Sequence, residues 1–144
     1  FILATQLEWH WKFAPRWQFA GMLAQALNGL PHDYWFWHQP EGYGKLYFET
    51  SQSFFEGDLE ILPRLVGRFI GKRYSPVLAT GNIALLENEL PATAVLDFQI
   101  RLGYGDGALL FSWENVFNRP FDWRSGVPAI GRFLRWGFWW NFWN

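Results

Sequence analysis

The stretch that decides the fold is the end of the chain, Gly131-Arg132-Phe133-Leu134-Arg135-Trp136-Gly137-Phe138-Trp139-Trp140-Asn141-Phe142-Trp143-Asn144. Successive side chains of a β-strand point to opposite faces, so this stretch predicts one long strand. One face of that strand carries Leu134, Trp136, Phe138, Trp140 and Phe142. A soluble protein must cover such a face with another protein surface, whereas a bilayer covers it with lipid. The segment therefore predicts a strand that faces a membrane.

The composition of the chain excludes several classes of protein. Half of its 144 residues are hydrophobic, yet the mean hydropathy is only −0.10, so apolar and polar residues must be interleaved. No uninterrupted apolar run reaches the roughly 18 residues that a spanning helix requires. The formal net charge of −1 leaves no electrostatic footprint for nucleic acid. The absence of cysteine excludes disulfides and cysteine-based metal sites.

Working backward from the end of the chain, the same alternation recurs, and the charges keep to one face of each strand. A charge on the lipid side of a membrane barrel costs about 2–4 kcal/mol at the midplane, so such segregation is typical of these proteins. We therefore predict that the charged residues face the lumen of a barrel, and that aromatic residues form a girdle against lipid. The predicted lumen-facing residues are Glu60, Arg64, Arg68, Asp97, Arg101, Glu114 and Arg135, with Glu8, Lys12, Glu49 and Lys72 of the same kind. The predicted lipid-facing residues are Trp9, Trp11, Trp136, Phe138, Trp140 and Phe142. These charges could bind a plug, line a ligand path or pair across neighbouring strands, and cross-strand pairing is the role expected for most of them.

The connections between the alternating segments are short and long in turn. Short turns are predicted at residues 14–16, 56–58 and 105–107, and long irregular segments at 28–42, 73–92 and 118–130. Within the second long segment, residues 76–90 are compatible with either a short helix or an extra strand tip. Outer-membrane barrels have short periplasmic turns and long extracellular loops. The predicted strands cover residues 6–13, 17–27, 43–55, 59–72, 93–104, 108–117 and 132–143. Because single-chain bacterial barrels have an even number of strands, we expect at least one more strand before Phe1.

Three motifs at the end of the chain resemble the carboxyl end of TonB-dependent outer-membrane receptors. The motifs are Leu90-Pro91-Ala92-Thr93-Ala94-Val95-Leu96-Asp97, Trp113-Glu114-Asn115-Val116-Phe117-Asn118-Arg119, and Gly131-Arg132 followed by the aromatic strand. They occur in the order and at about the spacing of that family. The resemblance covers residues 90–144 well and the upstream hairpins only by their general pattern.

The resemblance implies a larger protein than this chain. It implies a barrel of about 22 strands with a plug domain in its lumen, which imports iron chelates, vitamins, glycans or similar scarce ligands with energy from TonB. Residues 1–144 would then be the carboxyl-terminal portion of an outer-membrane β-barrel that is incomplete by itself. The expected partners are outer-membrane lipid, the remaining strands, the plug domain and TonB. No plug and no TonB box lie within the chain, and it ends in Asn144 after Trp143, whereas outer-membrane proteins commonly end on the aromatic residue.

One long segment is the best candidate for contact with an extracellular ligand. It is rich in aromatic side chains, which give large contact areas, and loops on a rigid scaffold commonly carry function. The candidate residues are His32, Asp33, Tyr34, Trp35, Trp37 and His38. The two histidines and the aspartate have no recognised metal-ligand spacing, so we predict no metal and no other cofactor. No nucleophile elbow, phosphate-binding glycine loop or His-Glu-x-x-His motif occurs, so we do not expect an enzyme.

Two other functions are compatible with the sequence. One is a structural outer-membrane barrel that anchors a surface assembly and transports nothing. The other is a soluble all-β module that binds carbohydrate through Tyr34, Trp35 and Trp37. A soluble module would bury its apolar face in a core, and a barrel segment would leave that face open to lipid.

Overall fold

The computed structural model describes residues 3–27, 40, 42–78, 85–124 and 126–141, and these residues form an all-β, antiparallel structure. The strands are β1 (Leu3–Ala14), β2 (Trp17–Leu27), β3 (Gly42–Thr50), β4 (Gln52–Phe54), β5 (Leu59–Ile70), β6 (Arg73–Leu78), β7 (Leu85–Leu90), β8 (Thr93–Tyr104), β9 (Gly107–Glu114), β10 (Asp122–Arg124), β11 (Val127–Pro128) and β12 (Phe133–Trp140). None of the helices among the described residues has the length and apolar character that crossing a membrane would require.

Seven long strands form one continuous sheet, which we call the wall. Its order is β1-β2-β3-β5-β8-β9-β12, and every neighbouring pair is antiparallel. The predicted set of seven strands is confirmed, because each of them supplies one strand of the wall. The two edges of the wall, β1 and β12, have no partner strand among the described residues.

Two predicted strand boundaries are wrong in detail. The strand predicted over residues 43–55 is interrupted at Ser51, whose backbone N–H donates to the carbonyl oxygen of Arg16 in the preceding turn, 2.9 Å away. The short β4 then continues beside β5. The strand predicted to reach residue 117 ends at Glu114, because Asn115 has a left-handed backbone with φ of 49°. Such a conformation cannot continue a strand.

The segments at 73–92 and 118–130 are not irregular throughout, and of the two alternatives left open for residues 76–90, a short helix or an extra strand tip, the structure has strands. The first segment contains the hairpin β6–β7 and the second the short hairpin β10–β11, each a separate two-stranded sheet. Both hairpins lie at the same end of the wall, opposite the short turns. Two of those turns use left-handed backbone: Phe55, Glu56 and Gly57 have positive φ in one, and Gly105 in the other.

The burial pattern shows which way the wall curves. On the central strand β5, Val66 and Ile70 are each 4% exposed, whereas Leu65 and Phe69 are 42% and 48% exposed. These residues alternate along one strand, so the difference separates the two faces of the sheet. The wall therefore curves toward the face that carries Val66 and Ile70.

Candidate functional site

The strand register divides the wall into a charged face and an apolar face. Residues that pair directly across antiparallel strands share a face, so each face can be followed from β1 to β12. Every charged residue of the seven long strands lies on the same face, which is also the concave one. These residues are Glu8, Lys12, Lys45, Glu49, Glu60, Arg64, Arg68, Asp97, Arg101, Glu114 and Arg135. The charges predicted to face a lumen thus share the inner surface of the curve, except Lys72, which follows the end of β5.

The apolar face is exposed on each of the seven long strands. Its exposed large side chains are Leu7, Trp11, Leu23, Leu46, Leu65, Phe69, Tyr104, Leu109, Phe111, Trp113, Leu134, Trp136, Phe138 and Trp140. Near the short turns the aromatic rings touch one another. The ring centroids of Trp17 and Phe48 are 5.1 Å apart, and those of Phe138 and Trp140 are 5.8 Å apart. The residues predicted to form a girdle lie on this face, except Phe142, which is outside the described residues.

Trp9 lies on the apolar face but is less exposed than Trp11. It pairs directly with Gly21 on β2, and its indole ring lies over the glycine backbone. A Cβ atom added at Gly21 would collide with this ring and with Leu46 of β3. Glycine at this position therefore leaves room for the indole ring.

A row of polar residues crosses the charged face at one level of the sheet. It consists of one directly paired residue from each long strand. In order from β1 to β12 the row is Lys12, Gln18, Glu49, Arg64, Gln99, Ser112 and Arg135. The sequence predicts the faces of these residues, but their alignment depends on the register between strands.

Glu49 is the centre of the first half of this polar row. Its side chain is 9% exposed and accepts hydrogen bonds from Gln18 on one side and from the guanidinium of Arg64 on the other. Gln18 in turn bonds to His10 at 2.9 Å. A buried carboxylate is tolerated when such partners satisfy it, so Glu49 binds three strands of the wall together.

Asp97 forms a second buried centre, closer to the long-loop end. Arg68 forms an ion pair with this carboxylate: Nη2 donates a hydrogen bond to Oδ1 at 3.0 Å, and Nε lies 2.8 Å from Oδ2. The backbone N–H of Asn115 also donates to Oδ1, at 2.8 Å. Asp97 therefore connects β5 and β8 to the point where β9 ends.

Asn115 explains why β9 stops where it does. Its side chain is almost fully buried and bonds both backbone groups of Arg119, with Oδ1 accepting from N–H and Nδ2 donating to the carbonyl, each at 2.8 Å. Asparagine tolerates the left-handed backbone better than most residues, and it is found there often. The asparagine of the family-like motif thus holds the start of the loop that leads to β10.

A groove of about 370 Å³ lies over the second half of the polar row. Three guanidinium-bearing residues line it, Arg64, Arg101 and Arg135, together with the carboxylate of Glu49. Arg135 also pairs with Glu114 at 2.7 Å. The rest of the lining includes Leu62, Gln99, Ile100, Leu110, Phe111, Ser112, Trp136 and Gly137. The groove is therefore richer in positive charge than the rest of the charged face.

Large apolar side chains also lie on the charged face, which the alternation did not predict. Leu110, Phe133 and Trp139 are 44%, 42% and 53% exposed there. Their register partners are Arg101 for Leu110, Glu114 for Phe133 and Ala108 for Trp139. The segregation of charge is thus complete along the long strands, whereas the segregation of apolar residues is not.

Arg73 connects the two hairpins beyond the wall. It begins β6, is 3% exposed, and its guanidinium donates to the backbone carbonyls of Asp122 and of Trp123 on β10. Burial lowers the pKa of the Arg73 guanidinium below its ordinary value, and the nearby Asp122 carboxylate partly opposes this shift. On β10 the Trp123 ring stands edge-on to Phe121, with 5.2 Å between centroids. Sequence reasoning gave Arg73 no role, because a buried arginine bonded to carbonyls leaves no pattern in the sequence.

The predicted ligand-contact residues His32, Asp33, Tyr34, Trp35, Trp37 and His38 lie outside the described residues. Their role therefore stays a prediction. Within the part of the chain that the structure describes, no group of three or more histidine, aspartate or glutamate side chains is placed to hold a metal ion.

Comparison with known proteins yields a likeness of fold. No family model matches the chain, and no curated protein matches it. Among solved structures, the chain is similar to a chain in the structure of the FpvAI–pyocin S2 complex, with a TM-score of 0.67 and 16% identity. The likeness covers 96% of this chain but 19% of that one. The neighbour is a β-barrel receptor, so the likeness supports a barrel fold like that of TonB-dependent receptors.

Proposed function

We propose that this chain is the carboxyl-terminal part of the wall of a TonB-dependent outer-membrane receptor, which takes up a scarce ligand such as an iron chelate, a vitamin or a glycan. The observation that carries the proposal is the inverted burial of the sheet. Large apolar side chains are exposed on one face along all seven long strands, whereas the other face buries Glu49 and Asp97 and exposes large apolar side chains only at Leu110, Phe133 and Trp139 among the described residues of these strands.

The inversion has a physical reason if lipid bathes the apolar face. A contiguous apolar surface of this extent is unfavourable in water, because monomeric soluble proteins rarely expose more than a few hundred Å² in one patch. In a bilayer the same surface is favourable, and the charges must then turn to the inside of the curve. The soluble carbohydrate-binding module predicts the opposite burial, so this observation favours the barrel.

The proposed receptor divides its tasks between three parts of the molecule. The apolar face meets outer-membrane lipid, and the charged face lines the interior. The two hairpins joined by Arg73 lie at the end of the wall where extracellular loops are expected. The chain between the end of β2 and the start of β3, which face the same end, would carry the ligand-contact residues. The plug domain and the coupling to TonB would be supplied by other parts of the protein, as the family resemblance implies.

Two neighbouring leucines test the membrane position of the sheet. Leu109 and Leu110 are 40% and 44% exposed and lie on opposite faces of β9. We would change each to cysteine, which the chain lacks, in the parent protein on a cysteine-free background in outer membranes. We expect Leu109→Cys to react with a lipid-soluble maleimide and Leu110→Cys with a water-soluble one. Equal reaction of both with the water-soluble reagent would contradict a membrane wall.

The receptor assignment is tested by the size of the native polypeptide. We would extract outer membranes with detergent and measure the intact mass of the species that contains these peptides. A receptor predicts a mass several times the 17.0 kDa of this chain. A mature native species of 17.0 kDa would contradict the receptor and favour a split or multi-chain barrel.

A further inference from the structure

One charged side chain lies over the apolar face of the wall, at the end where the long connections lie. Arg132 immediately precedes β12, and its guanidinium carbon lies 5.9 Å from the centroid of the Trp113 ring. Trp113 belongs to the apolar face, where it pairs with Leu134. A cation over an aromatic ring is attracted by the negative face of the ring. Arg132 therefore lies at the border of the apolar face, although the charges of the long strands all lie on the other face.

The position of Arg132 along the wall matches the edge of an apolar band. After Arg132, β12 runs for eight residues and ends at Trp140. With about 3.4 Å per residue and a tilt of about 40°, such a strand spans about 20 Å of the height of a barrel, whose apolar band is about 25 Å tall. Arg132 and Trp140 thus lie near opposite borders of such a band, at the level of lipid headgroups.

The backbone at Arg132 is held in place. Its N–H donates to Oδ1 of Asn118 at 2.8 Å, and Asn118 has a left-handed backbone with φ of 51°. A Cβ atom added at Gly131 would lie 2.7 Å from the same oxygen, so another residue would fit there only after a shift. The side chain of Arg132 therefore starts from a fixed point, which reduces the entropy lost when its guanidinium binds a ligand.

This junction carries positive charge without a balancing carboxylate. Residues 115–119 and 131–132 include Arg119 and Arg132 but no acidic residue. Neither arginine forms an ion pair within the described part of the chain. The neighbouring Glu114 lies on the other face of the wall, where it is already in an ion pair. An anion at this border would therefore be attracted by both arginines and would meet no repulsion from the junction itself.

We propose that Arg132 binds the phosphate of an anionic lipid whose acyl chain lies along the apolar face beside Trp113 and Leu134. The proposal rests on the proposed function, because it needs the apolar face to meet a bilayer. A guanidinium can bind two phosphate oxygens through parallel hydrogen bonds. The apolar surface next to Arg132 argues for a lipid over a free anion, since a free anion would leave Leu134, which is 64% exposed, uncovered.

The experiment identifies the molecule that lies next to Arg132. We would place the photoreactive residue p-benzoylphenylalanine at Leu134 of the parent protein, in vesicles with equal amounts of phosphatidylglycerol and phosphatidylcholine that have the same acyl chains. Both lipids carry a phosphate, but only phosphatidylglycerol has a net negative charge. Illumination followed by mass spectrometry gives the ratio of the two lipids attached at residue 134. The control is the same probe at Phe138, which lies on the same face of β12 but farther from Arg132.

We expect about fivefold more phosphatidylglycerol than phosphatidylcholine at residue 134, the factor that corresponds to the contribution of about 1 kcal/mol from one arginine near an anionic membrane surface. The two lipids should attach almost equally at residue 138. Arg132→Gln should remove the preference at residue 134, and Arg132→Lys should keep most of it. Arg101→Gln should leave the preference unchanged, since Arg101 lies on the other face.

Equal amounts of the two lipids at residue 134, or a preference that survives Arg132→Gln, would overturn the proposal and leave the membrane wall in place. A crosslink from residue 134 to a second protein molecule would also overturn it, because the occupant would then be a protein. If no lipid attaches at residue 134 or at residue 138, the membrane position itself is contradicted, and this inference fails with it.

Discussion

The two faces of the wall obey opposite rules of burial. On β5, the apolar face leaves Leu65 and Phe69 nearly half exposed, while the opposite face buries Val66 and Ile70. On the same concave face, Glu49 and Asp97 are buried with partners. In a soluble β-protein the apolar face would form the core. The hydrophobicity of a residue alone therefore does not decide whether its face of the wall is covered.

The largest effect is expected from a charge on the apolar face. In a bilayer, Leu109→Arg should destabilise the wall by up to about 2–4 kcal/mol, with less near the interface, because lipid cannot solvate the guanidinium. Leu110→Arg is the matched control, since it adds the same charge on the other face. The measurement is the free energy of unfolding of the parent protein in lipid vesicles. Similar losses of unfolding free energy in both variants would show that the two faces do not have different surroundings.

Within the charged face, a buried carboxylate should matter more than an exposed one. Glu49→Gln removes the charged acceptor of Gln18 and Arg64, so we expect a loss of about 1.5–3 kcal/mol, the range for hydrogen bonds to charged groups. Glu114→Gln breaks a pair whose side chains are 63% and 30% exposed, so we expect about 0–1 kcal/mol. Urea titration of both variants in vesicles measures the difference. A larger loss for Glu114→Gln would show that the burial of Glu49 carries little weight.

Asn115, which follows the end of β9, is the next residue that we would change. Asn115→Ala removes two side-chain hydrogen bonds and places a Cβ residue in the left-handed region, whereas Asn115→Gly removes the same bonds without the strain. The alanine variant should therefore be less stable than the glycine variant by about 1–2 kcal/mol. Equal stabilities of the two variants would mean that residue 115 relaxes to another backbone conformation.

A substitution at Arg73, which lies outside the wall, is expected to have the smallest effect on the wall. Arg73→Gln removes donors to the carbonyls of Asp122 and Trp123, so amide hydrogens of β10 and β11 should exchange about tenfold faster, which corresponds to about 1.4 kcal/mol. Amides of β8 should keep their rates. Lys72→Gln is the control, since it breaks the neighbouring exposed pair with Glu89. Faster exchange throughout the wall would show that the hairpins and the wall are one cooperative unit.

The faces of the wall could be predicted from the sequence because the side-chain period of a strand is two. The charges of β5 fall at every second position or multiples of it, so Glu60, Arg64 and Arg68 needed only the strand assignment. The register could not be predicted, because it depends on the geometry of each connection. The alignment of Arg64 with Gln99 and Ser112, and hence the groove, therefore appeared only in the structure.

The hairpins beyond the wall were not predicted as hairpins for a different reason. Between residues 73 and 90, polar residues and Pro76 interrupt the alternation, so the sequence does not choose between a short helix and an extra strand tip. The alternation gives the face on which Asp97 lies, but it gives neither the partners of Asp97 nor the burial of Asn115. The asparagine was marked by its motif, but the bonds it makes required the loop to be placed.

The pairing of β5 with β8 has a consequence for how such walls change over evolution. The two strands remain in register from Leu59 opposite Tyr104 to Ile70 opposite Thr93, although the β6–β7 hairpin intervenes in the chain. The wall therefore does not depend on the length or sequence of what lies between its outer ends. Insertions and deletions there should leave the seven-stranded sheet intact, so the segments beyond the wall can change quickly while the wall stays fixed.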